Sequence, residues 1–358
     1  MYDDKLERRR SRATLGLMIL ACILLLAALV PSPYAVEQPG PVVDTLGKAL
    51  VDGKNTPVLA IEGAETYSTS GELNLLTVTI LGDPEQPRSW LSLLPALLDP
   101  SQRIAPVSEF YPQGTTVEQR EKANTVLMNG SQAQAAAAAF RAMGKKVGVE
   151  LSVADVSKNG PADGALEPGD RLLSVDGRNI EDFASLRRSI IDAGDGAQIR
   201  IRFERDGEAR ETVLTPRAPE GGSEPLIGAA ISMDYQLPAK VDVSLSKIGG
   251  PSAGLVFAVA IIDRLTPGPL LDGLTVSGTG TMSDSGQVGA IGGLTQKMWA
   301  AQRAGSDLFL MPLANCGDLP RRPPQGLRIA PVGTLDEAVG AIEAVAAGQE
   351  PAGLERCG

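Results

Sequence analysis

Between about residues 147 and 217 the chain changes its rhythm, and that change sets what it can fold into. Here short β-forming runs, VGVELSVADV and GALEPGDRLLSVDG, precede a helix-like DFASLRRSIIDAG and the pair IRIRFERDGEARETVLTP. The last reads as a hairpin turning at Asp206-Gly207. Residues 218–225 are turn-rich linker. On either side the periodicity belongs to longer elements: an apolar strand over Leu73–Leu81, a helix over 117–143 ending at Gly144, and helices near 251–264, 293–304 and 335–347. Within the second of these, the run Ala135–Ala139 points to close packing. The pattern predicts an α+β protein in which a small β-rich domain adjoins a larger α/β one.

The N-terminus carries a different signal. Residues 13–30 (ATLGLMILACILLLAALV) hold no charge and follow Arg8, Arg9, Arg10 and Arg12. A run of this length, preceded by basic residues, predicts a single-pass transmembrane anchor with the body of the protein on the extracytoplasmic side of the cell membrane. A cleaved signal peptide, with Ala35 as a small residue before the cut, is the alternative. The prolines at 31, 33, 39 and 41 read as an extended spacer. The expected organisation is a basic cytoplasmic segment 1–12, an anchor 13–30, an N-terminal region 31–144, a β-rich domain 145–220 and an α/β domain 226–350.

Composition enters through what it excludes. The chain has no histidine, which removes the usual general base and the usual metal ligand together. A Ser-His-Asp triad and a Cys-His nucleophile are both impossible, and no metal site or cofactor is expected. The net charge is −10, and since residues 1–12 contribute +2, the rest of the chain carries −12, a charge that repels phosphates and argues against nucleic-acid partners. The sequence contains no G-x-x-x-x-G-K-[ST] phosphate loop. Cys22 lies in the apolar run, leaving Cys316 and Cys357 either as a disulfide, given an oxidising compartment, or as two free thiols.

Residues 160–177, GPADGALEPGDRLLSVDG, resemble the PDZ signature of a short helix, a Pro-Gly-Asp turn, an apolar strand and an Asp-Gly turn. PDZ domains add a peptide strand to a sheet edge and hold its terminal carboxylate on backbone N–H groups. The resemblance implies that Val147-Gly148-Val149 forms the carboxylate loop and that Leu186 and Ile190 line the peptide groove. A shielding role without peptide binding, with Leu186 and Ile190 as core residues, is the alternative.

A second resemblance lies between 245 and 312. Lys247-Ile-Gly-Gly-Pro-Ser252-Ala-Gly254 is similar to the nucleophile motif of Lon-family (S16) serine proteases. Thr279-Gly280, then Gly286-x-Val288-x-x-Ile291-Gly292-Gly293-Leu294-x-x-Lys297, then Ala300-x-x-x-Ala304-Gly305 follow the segment bearing the family's base. A serine hydroxyl needs an adjacent base, and without histidine a neutral lysine amine fills that part. To do so Lys297 must titrate near neutrality rather than near 10.4, as burial among Leu294, Met298 and Trp299 would allow.

The resemblance implies a Ser252/Lys297 dyad, with Thr279 orienting the lysine and Pro251 and Ala253 at the turn where a helix N-terminus meets a developing oxyanion. Gly249-Gly250 stand where many family members carry an Asp, and Thr281 replaces a common Glu. Ser70-Gly-Glu-Leu and Met128-Asn-Gly-Ser131-x-Ala133 resemble the first half of a Lon domain, so the PDZ-like segment would be inserted in it.

The expected function is ATP-independent, membrane-anchored serine endopeptidase action on extracytoplasmic or membrane-proximal proteins, with the PDZ part recognising substrate C-termini. Family members commonly form rings, so a homo-oligomer is implied as well. The alternative class is a membrane-tethered PDZ adaptor whose protease domain is inactive.

Overall fold

Tyr34–Asp44 (β1), where the prolines predict a spacer, is instead a sheet strand. It pairs antiparallel with Glu72–Leu81 (β2) on one side and with Arg103–Pro106 (β3) on the other. The register with β2 slips between Pro39 and Val42, and this irregularity absorbs prolines that a regular interior strand would not accept. Thr77 Oγ1 on β2 donates to the Pro41 carbonyl at 2.7 Å across the slip. On its other flank β2 runs parallel to Thr275–Gly278 (β4), which pairs in parallel with Leu308–Pro312 (β5), itself parallel to Ile329–Val332 (β6). The six-stranded order is β6-β5-β4-β2-β1-β3.

The structure is a computed structural model that describes residues 3–51, 53–112, 114–219, 221–245 and 248–357. Asp3–Leu29 (α1) is a helix of 27 residues that starts inside the charged segment and stops before Pro31. Its uncharged part, 13–29, rises about 26 Å at 1.5 Å per residue, short of the roughly 30 Å of a hydrocarbon core. Among the described residues no helix is long and apolar enough to cross a membrane. The predicted anchor over 13–30 is corrected accordingly, as are the single-pass cell-membrane localisation and the extracytoplasmic body that followed from it.

Val117–Ala142 (α2) packs on Gly254–Leu265 (α3), which with Leu294–Arg303 (α4) and Leu335–Ala346 (α5) lies against the sheet. Every residue of α3 from Gly254 to Ile262 is buried, as this all-round apolar run requires. Its neighbour α2 presents Ala135–Ala139, each at most 2% exposed, and these small side chains let the two helices lie close. At Gly254 a Cβ would stand 2.9 Å from Ser131 Oγ on α2 and 2.9 Å from the Met282 amide nitrogen.

The chain divides into two compact units, one built from residues up to Ala142 and from Val241 onward, the other from Met143–Lys240. The second unit is an antiparallel sheet in the order Glu208–Leu214, Ile199–Arg205, Arg171–Val175, Gly148–Val156, Ala229–Gln236. Its helix Phe183–Ala193 starts at Asp182, whose Oδ1 accepts from the Ser185 amide at 2.6 Å in a reciprocal cap. The helix buries Leu186 and Ile190 in a core with Phe203, Ile201 and Leu151.

Candidate active site

The turn Gly249-Gly250-Pro251-Ser252 is held by its backbone, which leaves the serine side chain facing a cleft. Gly250 N–H donates to the Asn124 carbonyl at 2.9 Å, and Ser131 Oγ donates to the Pro251 carbonyl at 3.0 Å, both partners lying on α2. The Ser252 carbonyl accepts from Gly280 N–H at 2.9 Å and from Thr279 Oγ1 at 3.2 Å, just past β4. Ser252 is half-buried, and Ala253 behind it is buried and caps α3 without a side-chain hydrogen bond. Amides at that helix start point toward incoming negative charge.

Lys297 comes from α4. That helix begins at Gly293, whose φ of 68° lies in the left-handed region, where a Cβ would also stand 2.6 Å from Val78 Cγ2. One turn on, Lys297 is only 3% exposed, and its Nζ donates to Thr279 Oγ1 at 3.0 Å. Its hydrogen bond thus goes to the threonine that also holds the Ser252 backbone. Burial lowers the lysine pKa from 10.5 to about 8, while the Glu37 carboxylate opposes the shift. Glu37 is itself buried and its Oε2 accepts from Arg103 Nε at 2.6 Å. Ser252 and Lys297 line one open cleft of about 940 Å³, together with Val78, Met128, Ile248 and Ile291.

One wall of the cleft depends on a side chain that no local pattern marks. Asn315, 1% exposed, accepts from Ile291 N–H and donates back to the Ile291 carbonyl, both at 2.9 Å, imitating a strand partner. Its remaining amide hydrogen goes to Asp318 Oδ2 at 2.6 Å. Beside it Cys316 is bonded to Cys357. Asn124, Asn315 and Glu37 were not singled out by the sequence reading, because each acts through tertiary hydrogen bonds or charge rather than through a motif. Ser131 stood there only as part of a resemblance.

In the second unit, Val147 directly precedes the strand that Gly148 and Val149 open, and the latter two face Gln236 and Tyr235 across the ladder. That strand has neighbours on both sides, and among the described residues the unpaired edge at this side of the sheet belongs to Ala229–Gln236. Leu186 and Ile190 are 1% and 7% exposed and sit within the core. Among the described residues no group of His, Cys, Asp and Glu side chains is arranged to hold a metal ion.

Fold, site and comparison agree on a class. Residues 242–343 match the family of the Lon protease (S16) C-terminal proteolytic domain, and residues 114–215 match the PDZ domain family. The PDZ match begins at residue 114, just before α2 of the first unit, and ends before the strand Ala229–Gln236. Particular relatives include the Lon protease of Haemophilus influenzae, 35% identical over 136 residues, which are 37% of this chain and 16% of that protein. The archaeal Lon protease of Methanocaldococcus jannaschii is 42% identical over 96 residues, 27% of this chain and 14% of that one. The chain therefore spans less than a fifth of the length of these relatives. Among solved structures, the PDZ domain of an SdrC-like protein from Listeria monocytogenes aligns with 23% of this chain and 85% of its own, at 21% identity and a TM-score of 0.22.

Proposed function

We propose that this chain is a serine endopeptidase of the Lon type in which Ser252 is the nucleophile and Lys297 the general base. The observation that carries the reading is the buried Lys297 amine, held by a hydroxyl and titrating at about 8, in the cleft that Ser252 lines. At pH 7 roughly a tenth of such an amine is neutral, enough for it to take the Ser252 proton as Oγ attacks a peptide carbonyl. The resulting ammonium gives that proton to the departing amine, leaving an acyl-enzyme. A water then enters, loses a proton to Lys297 as it attacks the ester carbonyl, and Lys297 returns that proton to Ser252 Oγ as the acid leaves. Thr279 keeps Nζ in place through both steps, and the amides at the start of α3 stand where the oxyanion forms. Cleavage proceeds without nucleotide hydrolysis, since these residues contain no phosphate loop.

The PDZ-like unit contributes peptide binding and presents polypeptide C-termini to the protease. Strand addition there would use the open edge of Ala229–Gln236.

The test is hydrolysis of an unfolded protein between pH 6 and 10 without nucleotide, using the intact chain, Ser252→Ala and Lys297→Arg. Activity should rise with pH around 8 and vanish in both variants, because guanidinium stays protonated throughout. Turnover that persists in Ser252→Ala, or its equal absence from all three proteins, would leave only the peptide-binding role.

A further inference from the structure

Two guanidinium groups flank Phe110 at the mouth of the cleft, and their surroundings differ. Arg103 lies 5.6 Å from the ring centroid and is neutralised by Glu37 at 2.6 Å and Glu109 at 2.7 Å. Arg120 lies 5.9 Å from the Phe110 centroid and 4.5 Å from that of Tyr111, and among the described residues no carboxylate is paired with it. Two aromatic rings therefore hold this cation in place while its charge stays open. It lines the same cleft as Ser252 and Lys297.

Its position relative to the nucleophile follows from α2. Arg120, Asn124 and Met128 succeed one another at four-residue spacing, and all three line the cleft. Asn124 holds Gly250 and Ser131 holds Pro251. At 1.5 Å per residue, Arg120 stands about 6 Å along the helix axis from Asn124 and about 16 Å from Ser131. An extended polypeptide advances roughly 3.3 Å per residue, so that span corresponds to a few residues of an extended chain.

We infer that Arg120 selects substrates carrying an aspartate or glutamate a few residues from the scissile bond, through a charge-assisted pair with the fixed guanidinium. The inference rests on the endopeptidase reading above and names its substrate class. A planar, pre-positioned fork matches a carboxylate in two hydrogen bonds, and no internal acid competes for it. Glu37 and Glu109 line the same cleft but are taken up by Arg103, which leaves Arg120 as the open cation for a substrate carboxylate.

The test maps the bonds cut in dephosphorylated β-casein by mass spectrometry, using the full chain, Arg120→Glu and Ser252→Ala. Peptides spanning one mapped site are then compared with glutamate or glutamine at the acidic position. The expected map has Asp or Glu recurring at one offset from the cut bonds, and glutamine there lowers kcat/KM roughly tenfold. In Arg120→Glu the recurring residue becomes Lys or Arg, and the glutamate peptide becomes the poorer one. Identical maps from the intact chain and Arg120→Glu, with cleavage lost in Ser252→Ala, would overturn the role of Arg120 and leave the peptidase reading standing. Cleavage that is absent, or indifferent to Ser252→Ala, would overturn the peptidase reading and this inference with it.

Discussion

At the scale of single residues, Lys297 shows chemistry set against stability. Its pKa is about 8 in the folded chain and 10.5 when unfolded, chiefly because burial penalises the ammonium. Between those values the unfolded chain binds more protons, so stability rises with pH across that window and the penalty is fully present below pH 8. The difference corresponds to roughly 3 kcal/mol. Lys297→Met, close in volume and without charge, should therefore raise the midpoint of denaturant unfolding at pH 7 while abolishing cleavage, and the gain should disappear by pH 10.5. A variant less stable than the parent at pH 7 would show that the Nζ–Thr279 hydrogen bond outweighs desolvation. Ser252, Lys297 and Thr279 were named in the sequence through its resemblance to the Lon-family motifs, with the absence of histidine narrowing the candidate bases. Asn124 and Asn315 could not, since what they hold, Gly250 and Ile291, lies 126 and 24 positions away in the chain.

Among the elements, the helices were legible where their periodicity is strong: those expected near 251–264, 293–304 and 335–347 are Gly254–Leu265, Leu294–Arg303 and Leu335–Ala346. The hairpin turns where Asp206-Gly207 predicts, with φ of 55° and 79°. β1 was illegible because prolines signal a break, and only the slipped register opposite β2 admits them. The α1 helix was misread as a span because an apolar run gives composition, whereas spanning depends on where the helix starts and stops. How closely α2 and α3 pack is a property of the pair. The small residues are visible in the sequence, but their facing arrangement is not. Gly254→Ala tests that arrangement, since the new methyl would meet the Met282 backbone amide, which cannot rotate aside. Overpacking of this kind costs about 1–3 kcal/mol. It should appear as a lower unfolding midpoint together with reduced cleavage, because the displaced start of α3 carries Ser252. An unchanged midpoint would mean that the helices separate freely there.

Across the whole molecule, the first unit is assembled from segments far apart in sequence. β2 pairs with β4 some 200 positions later, and Met143–Lys240 forms a compact unit of its own between the two halves of the sequence. Such non-local pairing must overcome loop-closure entropy before it gains anything from contacts, so covalent closure at the far end of the chain has leverage. Cys316–Cys357 provides it. The bond closes a separation of 41 residues, and chain-entropy reasoning puts the stabilisation at about 4 kcal/mol. It also ties the C-terminal turn Leu354–Cys357 to the segment Leu313–Asp318, from which Asn315 holds the Ile291 wall of the cleft. Reduction should thus act twice, lowering the thermal midpoint and loosening the wall from which the chain leads into Gly293 and the Lys297 helix. The expected outcome for Cys316→Ser/Cys357→Ser is a lower melting temperature and, well below that temperature, a larger fall in kcat than in peptide affinity. Affinity should hold because the α2 side of the cleft is untouched. Equal melting temperatures for the reduced and oxidised chain would remove the covalent contribution, and an unchanged kcat would show that Asn315 keeps its place without the bond.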